Sequence, residues 1–219
     1  MQTTDYITRE VKALDPSDKV NKAKELFKEL TYTHLPVVEE GVLLGLVSEA
    51  DVQTIENGDL PVDDFRYLFQ SFFVSESMNW FELLKIFALH ETSIIPVIDE
   101  HHKYLGYYEL SDILHIFNST PFLHETGAIL VVSKGINDYS FSQVAQIAES
   151  NNAKILGAFV SGYEDEMIEI TIKLSDHDLN NTIQTFRRYS YEILTSFHMD
   201  EYLKTLKERS DYLQKYLNI

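Results

Sequence analysis

Hydrophobic residues near the start of the chain follow two different periods. Between positions 20 and 30 they recur three or four residues apart, which predicts an amphipathic helix. Two short apolar runs follow at 35–38 and 43–47, and the Glu-Glu-Gly turn between them is typical of a β-hairpin. Asp15, which precedes a proline, predicts the capped start of the first helix, and Ser48 predicts the start of a second helix after the hairpin.

The same order of elements occurs again later in the chain. When Pro96 is aligned with Pro36, an offset of 60 residues, apolar positions of the first copy fall on apolar positions of the second. One residue is inserted in the second hairpin turn, after which Asp112 aligns with Asp51. Ser75 predicts the helix cap in this copy. Each copy therefore predicts the order β-α-β-β-α, and such repetition indicates two structural repeats.

The pattern changes after a loop-forming cluster at 118–121. Residues 128–197 contain four strand-like and two helix-like segments in the order βαββαβ, which is typical of the ferredoxin-like fold. Asp176 predicts the start of the second of these helices. The end of the chain predicts one more helix, from apolar residues at helical spacing: Met199, Leu203, Leu206, Leu213 and Leu217.

The sequence therefore predicts an α+β protein in four parts. The first repeat covers residues 1–58, a linker and the second repeat cover 59–120, the ferredoxin-like domain covers 121–198, and the terminal helix covers 199–219. The apolar face of that terminal helix has to be buried. The sheet of its own domain and a second copy of the chain are equally good covers for it.

Charge and composition exclude several classes of function. The 18 Lys and Arg against 35 Asp and Glu give a net charge of −17, which argues against broad binding to nucleic acid or anionic lipid. The chain has no cysteine, so disulfides, thiolate catalysis and cysteine-ligated metals are excluded. No stretch approaches the ~20 apolar residues of a membrane helix, and the first residues lack the features of a signal peptide. We therefore expect a cytoplasmic protein that binds neither nucleic acid nor membrane.

Motifs typical of enzymes are missing from the sequence. It has no nucleophile elbow, no glycine-rich phosphate loop and no His-Glu-x-x-His helix. His101 and His102 share a predicted turn without further metal ligands, and the acidic run 164–166 fits a solvated hairpin tip. We therefore expect no catalytic residues and no metal site.

The segment Gly45-Leu46-Val47-Ser48-Glu49-Ala50-Asp51 runs from a predicted strand into a helix start. One interpretation is a capping box, in which Ser48 caps the helix and Asp51 lies at its third position. The other interpretation is a ligand site. Exposed amides at a helix start favour an anion, the serine hydroxyl adds a donor, and the carboxylate can accept from both hydroxyls of a ribose.

With the apolar-Pro-Val strand and the Gly-x-x-Ser-x-x-Asp element in this order in both copies, residues 5–117 resemble the cystathionine-β-synthase (CBS) domain pair, or Bateman module. The resemblance implies two repeats with pseudo-twofold symmetry and two clefts for adenosyl ligands such as AMP, ADP, ATP or S-adenosylmethionine. It also implies that Asp51 binds the ribose and Ser48 the phosphate. The residues that it places around the adenine are Thr33, His34 and Pro36 on one side and Ala13 on the other.

The second copy departs from this pattern, because Glu109 occupies the position of the serine hydroxyl. A carboxylate beside a phosphate is repulsive. Asp112 therefore either holds a neutral adenosine group or serves as a helix cap.

The C-terminal domain resembles an ACT-type regulatory domain, and the whole architecture is similar to the acetoin-utilisation accessory proteins. The turn at 134–141 lacks the Gly-Leu pair of amino-acid-binding members, so amino-acid binding and a role in assembly both stay open. The resemblance implies a non-enzymatic sensor that needs no cofactor, in which an adenosyl ligand biases the geometry of a homodimer and an unidentified protein partner responds. The alternative is a ligand-free structural adaptor.

Overall fold

The computed structural model describes residues 3–175 and 179–196, without the side chain of Ser196. The chain divides into two compact units, the first ending at Phe117 and the second beginning at Asn118. The expected terminal helix at 199–219 and the expected cap at Asp176 lie outside the described residues.

The first unit contains both sequence repeats. The elements of the first repeat are α1 (Val20–Glu29), β1 (His34–Glu39), β2 (Val42–Ser48) and α2 (Glu49–Thr54). The elements of the second repeat are β3 (Val74–Ser75), α3 (Trp80–His90), β4 (Ile94–Ile98), β5 (Tyr104–Glu109) and α4 (Leu110–Asn118). Two 3-10 helices, Thr3–Tyr6 and Val62–Leu68, precede the first and second repeats. The predicted α+β fold with tandem repeats is confirmed.

Both repeats form the expected antiparallel hairpin, β1 with β2 and β4 with β5. The short strand that opens the second repeat pairs in parallel with β4, and Val74 lies opposite Val97. In the first repeat the same position is a single parallel bridge between Leu14 and Val37. The two repeats thus share one topology, and each has its own apolar core built from equivalent positions.

The two repeats also exchange backbone segments at their sheet edges. Thr8, from the N-terminal segment, pairs with Tyr107 of the second repeat through two hydrogen bonds of 3.0 Å. Gln70, from the linker, pairs with Leu46 of the first repeat through bonds of 2.9 and 2.8 Å. Each repeat therefore completes its sheet with a segment that precedes the other repeat, and we call these the exchanged segments.

Two predicted helix caps are wrong. Helix α1 begins at Val20, and the carboxylate of Asp15 instead accepts hydrogen bonds from the backbone and hydroxyl of Ser17, in a turn ahead of the helix. Ser75 lies in strand β3, and the cap of α3 is Asn79, which accepts a 2.9 Å hydrogen bond from the backbone of Phe81. In both cases the predicted cap lies several residues ahead of the actual helix start.

The second unit has the predicted order βαββαβ. After a short helix α5 (Pro121–His124) come β6 (Gly127–Gly135), α6 (Phe141–Ser150), β7 (Ile155–Glu164), β8 (Met167–Ser175), α7 (Leu179–Arg188) and β9 (Glu192–Ser196). The sheet order is β7-β8-β6-β9 with every pairing antiparallel, which is the ferredoxin-like topology. Its core lies between the inner sheet face and the apolar faces of α6 and α7. Of the helices in the two described ranges, none is long and apolar enough to cross a membrane.

Candidate functional site

Ser48 and Asp51 form a pair at the junction of β2 and α2. The Ser48 hydroxyl oxygen accepts a 3.0 Å hydrogen bond from the backbone N–H of Asp51 and donates a 2.7 Å hydrogen bond to Oδ2 of its carboxylate. The capping interpretation of the sequence is therefore confirmed in its geometry. The same geometry places a hydroxyl and a carboxylate side by side at a helix start.

The start of β1 brings two more expected residues to this junction. His34 lies opposite Ser48 in the hairpin register, and the backbone N–H of Glu49 donates a 2.8 Å hydrogen bond to the carbonyl of Thr33. His34 is buried, and its Nδ1 lies 2.9 Å from the Thr33 hydroxyl. The structure thus clusters Thr33, His34, Ser48 and Asp51.

Thr33 also joins the two repeats. Its backbone N–H donates a 3.0 Å hydrogen bond to Oγ of Ser93, and the backbone N–H of Ser93 donates a 2.9 Å hydrogen bond to the Thr33 hydroxyl. The two residues are 60 positions apart, so each occupies the place of the other in its repeat. This reciprocal pair is what a pseudo-twofold relation between the repeats requires.

His34 is surrounded by groups from the linker and from the second repeat. The ring of Phe72 meets it edge-on at 5.5 Å and stacks on the ring of His90 at 4.2 Å. Burial lowers the pKa of His34, and His90 lowers it further, whereas a hydrogen bond with Gln70 and the charge of Asp51 oppose the shift. Sequence reasoning missed Phe72, Gln70 and His90, because their positions carry no motif.

Pro36 and Ala13 occupy different surroundings. Pro36 is buried in β1, and its carbonyl accepts a 2.8 Å hydrogen bond from the backbone of Leu14. Ala13 lines a cavity of about 330 Å³ that is bordered by none of the other expected site residues. Asp51 borders a different cavity of about 10 Å³, which is close to the volume that one water probe occupies.

The equivalent junction in the second repeat is rich in carboxylates. Glu109 accepts hydrogen bonds from the phenol of Tyr32 and, at 3.3 Å, from the hydroxyl of Ser111. Burial raises the pKa of Asp112, and the charges of Glu109 and Glu10 raise it further. An anion brought to this junction would therefore meet repulsion from several carboxylates.

The other candidate side chains lie in turns. His101 and His102 are exposed in the turn between β4 and β5, and Asp165 and Glu166 form the turn between β7 and β8. In the part of the chain that the structure describes, no group of three or more His, Asp or Glu side chains could hold a metal ion.

Comparison with known proteins gives two matches to one family and several relatives. A model of the CBS domain matches residues 4–56 and 62–119, which together are slightly more than half of the chain. Inosine-5'-monophosphate dehydrogenase of Korarchaeum cryptofilum is 30% identical over 110 residues, covering 50% of this chain and 23% of the enzyme. The CBS domain-containing protein YhcV of Bacillus subtilis is 25% identical over 116 residues, covering 50% of this chain and 80% of YhcV. The chain spans 23% to 34% of the length of three such dehydrogenases, so it matches a minor part of each.

Solved structures also resemble the chain. A CBS domain pair/ACT domain protein from Thermotoga maritima has 22% identity and a TM-score of 0.48, covering 53% of this chain and 96% of that protein. CBSX2, solved in complex with AMP, has 23% identity and a TM-score of 0.46, covering 53% of this chain and 95% of that protein.

Proposed function

Because the chain belongs to the CBS domain family, we propose that it is a regulatory protein whose first repeat binds an adenosyl ligand beside Ser48 and Asp51. The ligand in this proposal is AMP, ADP, ATP or S-adenosylmethionine. The protein needs no resident cofactor, catalyses no reaction of its own and works in the cytoplasm. It passes the state of the ligand to a protein partner through the geometry of a homodimer.

The Ser48–Asp51 pair is the observation that carries the proposal. A carboxylate can accept hydrogen bonds from both ribose hydroxyls, and a serine hydroxyl can donate to a phosphate. In the structure the two side chains are hydrogen-bonded to each other. On binding, each can exchange this partner for a polar group of the ligand. Thr33 and His34, which the family resemblance implies border the adenine, lie beside the pair and so support this assignment.

The second repeat supports a difference between the two clefts. Glu109 replaces the serine hydroxyl, and Tyr32 and Ser111 already use its carboxylate. A phosphate at short range from this carboxylate loses on the order of 1 kcal/mol or more, even in water. We propose that the Asp112 cleft binds the ligand more weakly or stays empty.

A second candidate function is a ligand-free structural adaptor. Two observations favour it: the cavity at Asp51 measures about 10 Å³, and the stacked rings of Phe72 and His90 fill the space beside His34. In the adaptor, the surface that holds the dimer together is itself the function.

A matched pair of variants separates these functions. With ligand at a hundred times its dissociation constant, binding should add about 2.7 kcal/mol to the free energy of unfolding. We expect AMP, ATP or S-adenosylmethionine to raise the melting temperature of the wild type, Asp51→Ala to abolish the rise, and Asp112→Ala to keep it. No rise in the wild type would support the adaptor. Loss in Asp112→Ala alone would show that the clefts are assigned the wrong way round.

The homodimer in this proposal is supported by apolar side chains on the second-repeat helices. Phe81 and Leu89 of α3 are 61% and 70% exposed, and Leu114 of α4 is 48% exposed. Large apolar side chains exposed on helices gain free energy when a partner removes them from water. Light scattering at micromolar concentration should give twice the chain mass of 25.4 kDa, and a monomer mass would contradict the dimer.

The C-terminal unit has a place in the same proposal. Its ferredoxin-like strand order is that of an ACT-type domain, and we propose that it serves assembly or amino-acid binding. Amino acids added in the same melting experiment distinguish these two roles, because an amino-acid site would raise the melting temperature and an assembly surface would not.

A further inference from the structure

A cavity of about 330 Å³ in the first unit lies away from the Ser48–Asp51 pair. Val38 lines it near the end of β1, where this strand pairs with Leu43 close to the hairpin turn. Ser48 pairs with His34 at the opposite end of the same hairpin. Tyr104, at the start of β5, lines the cavity from the second repeat, so we call it the Tyr104 cavity.

The hydroxyl group of Tyr104 is buried and has no hydrogen-bond partner among the described residues. Native structures pair the large majority of buried side-chain polar atoms, so an unpaired one calls for an explanation. Burial raises the pKa of Tyr104, which keeps the phenol protonated and able to donate. The backbone of Tyr104 is fixed by a 2.9 Å hydrogen bond from its N–H to the carbonyl of Gly41. Tyr104 therefore lines the cavity with atoms other than its hydroxyl oxygen, which lies buried beneath the cavity surface.

Cationic side chains line the same cavity. Arg9, Lys12 and Lys22 account for three of the 18 Lys and Arg of a chain whose net charge is −17. Two carboxylates, Asp15 and Asp18, lie among them. The cavity therefore carries a local excess of positive charge in an otherwise acidic protein.

The two carboxylates are already bonded within the protein. Asp18 accepts a 2.6 Å hydrogen bond from the ammonium group of Lys22, and Asp15 accepts from the backbone and hydroxyl of Ser17. Arg9 donates through Nε to the carbonyl of Leu105, which leaves its terminal guanidinium nitrogens for another acceptor.

Of these three cations, Lys12 makes the fewest bonds within the protein. Across 3–175 and 179–196 its ammonium group forms no hydrogen bond or ion pair. The hydrogen bonds from Ser17 are the main cause of the lowered pKa of Asp15, and the charge of Lys12 adds to it. The cavity therefore offers two positively charged donors, from Lys12 and Arg9.

We propose that the Tyr104 cavity binds the oxyanion of a small organic molecule, a phosphate or a carboxylate. Charged donors, here Lys12 and Arg9, make the stronger hydrogen bonds to such a group. Val11, Ala13 and Val38 line the remaining wall and take the apolar part of the ligand. The volume falls within the ~300–1,000 Å³ of small-molecule sites. Ala13, which the family resemblance places beside the adenine, would then contact this ligand. The site does not depend on the proposed adenosyl cleft.

Thermal melting of the full chain tests the proposal, with inorganic phosphate and succinate as separate probes against sodium chloride at the same ionic strength. We expect at least one probe to raise the melting temperature of the wild type, and the probe that does so identifies the type of oxyanion. Lys12→Gln removes a charged hydrogen bond and should weaken binding about tenfold or more. Lys19→Gln is the matched control, because Lys19 pairs with Asp59 outside the cavity, and it should keep the full rise.

Two further variants locate the binding. Arg9→Gln removes the second charged donor of the cavity, so it should gain less from the probe than the wild type does. Ser48→Ala should keep the whole gain, which separates this site from the adenosyl cleft. The proposal is overturned if neither probe stabilises the wild type, if Lys12→Gln and Arg9→Gln keep the full gain, or if Ser48→Ala loses it.

Discussion

His34 is a buried imidazole whose pKa is lowered chiefly by its burial. As the pH falls, the unfolded chain therefore binds this proton before the folded protein does. The contribution of this neutral imidazole to the free energy of unfolding is therefore fully present above about pH 6.5, the usual histidine pKa, and decreases as the pH falls below it. For one group the slope is at most about 1.4 kcal/mol per pH unit.

Urea unfolding between pH 5 and 7.5 measures this effect. We expect His34→Gln to be less stable at pH 7, because Gln fits the aromatic site less well, and to lose less stability than the wild type on acidification. His101→Gln is the control, since His101 is exposed in a turn, and it should follow the wild-type curve. Equal slopes for His34→Gln and the wild type would contradict the assignment.

At the residue scale, the sequence alone predicts contacts between residues that are close together in the chain. Ser48 and Asp51 are three positions apart, so spacing alone predicts their contact. Phe72 contacts both His34 and His90 through folding of the linker and second repeat, and no local pattern marks Phe72 or His90. Ser93 carries one signal that sequence reasoning can use, because it lies 60 residues after Thr33, at the repeat offset.

At the scale of elements, Gly106 in β5 determines whether an exchanged segment can dock. Its φ is +142°, and a Cβ atom there would lie 2.4 Å from the carbonyl oxygen of Thr8. Real Cβ contacts are not so short, so Gly106→Ala must displace the N-terminal segment. We expect a loss of about 1–3 kcal/mol in the free energy of unfolding.

Gly41→Ala is the matched control for this prediction. Gly41 also has a positive φ, +84°, but nothing lies within 4 Å of the added Cβ. The control introduces backbone strain without a clash. Gly106→Ala should therefore lose more stability in urea than Gly41→Ala, and it should also free the Thr8 amide to exchange with solvent. Equal losses in both variants would mean that segment docking contributes nothing.

The order of elements could be predicted because each hydrophobic period is local to its helix or strand. The hairpin of β1 and β2 and the βαββαβ order of the second unit both follow from such periods. Helix starts were harder to predict. Asp15 satisfies a turn and Ser75 joins a strand, and both are uses that compete with capping for the same side chains. The exchanged segments have no periodic pattern of their own, since each pairs with the neighbouring sheet through the backbone of a single residue.

At the scale of the whole molecule, the hydrophobic cores follow the division into units. The two repeat cores consist of residues before Phe117, and the third core consists of residues after Asn118. A fragment of residues 1–119 should therefore fold alone and unfold cooperatively in urea. A fragment of residues 1–61 should not, because Leu46 then lacks Gln70 and Thr8 lacks Tyr107. Cooperative unfolding of the shorter fragment at the same midpoint would contradict this prediction.

Each exchanged segment and the strand that it pairs with are synthesised at different times on the ribosome. The N-terminal segment emerges first, but its partner Tyr107 is made about 100 residues later, which takes roughly 5–20 s at ordinary elongation rates. During that interval its backbone groups are hydrogen-bonded to water. The backbone groups of Leu46 at the edge of β2 are likewise bonded to water until Gln70 is made. Unpaired sheet edges accept whichever strand reaches them first. On a message carrying several ribosomes, a chain that has already made its acceptor strand can therefore pair with the N-terminal segment of a neighbouring chain that has not.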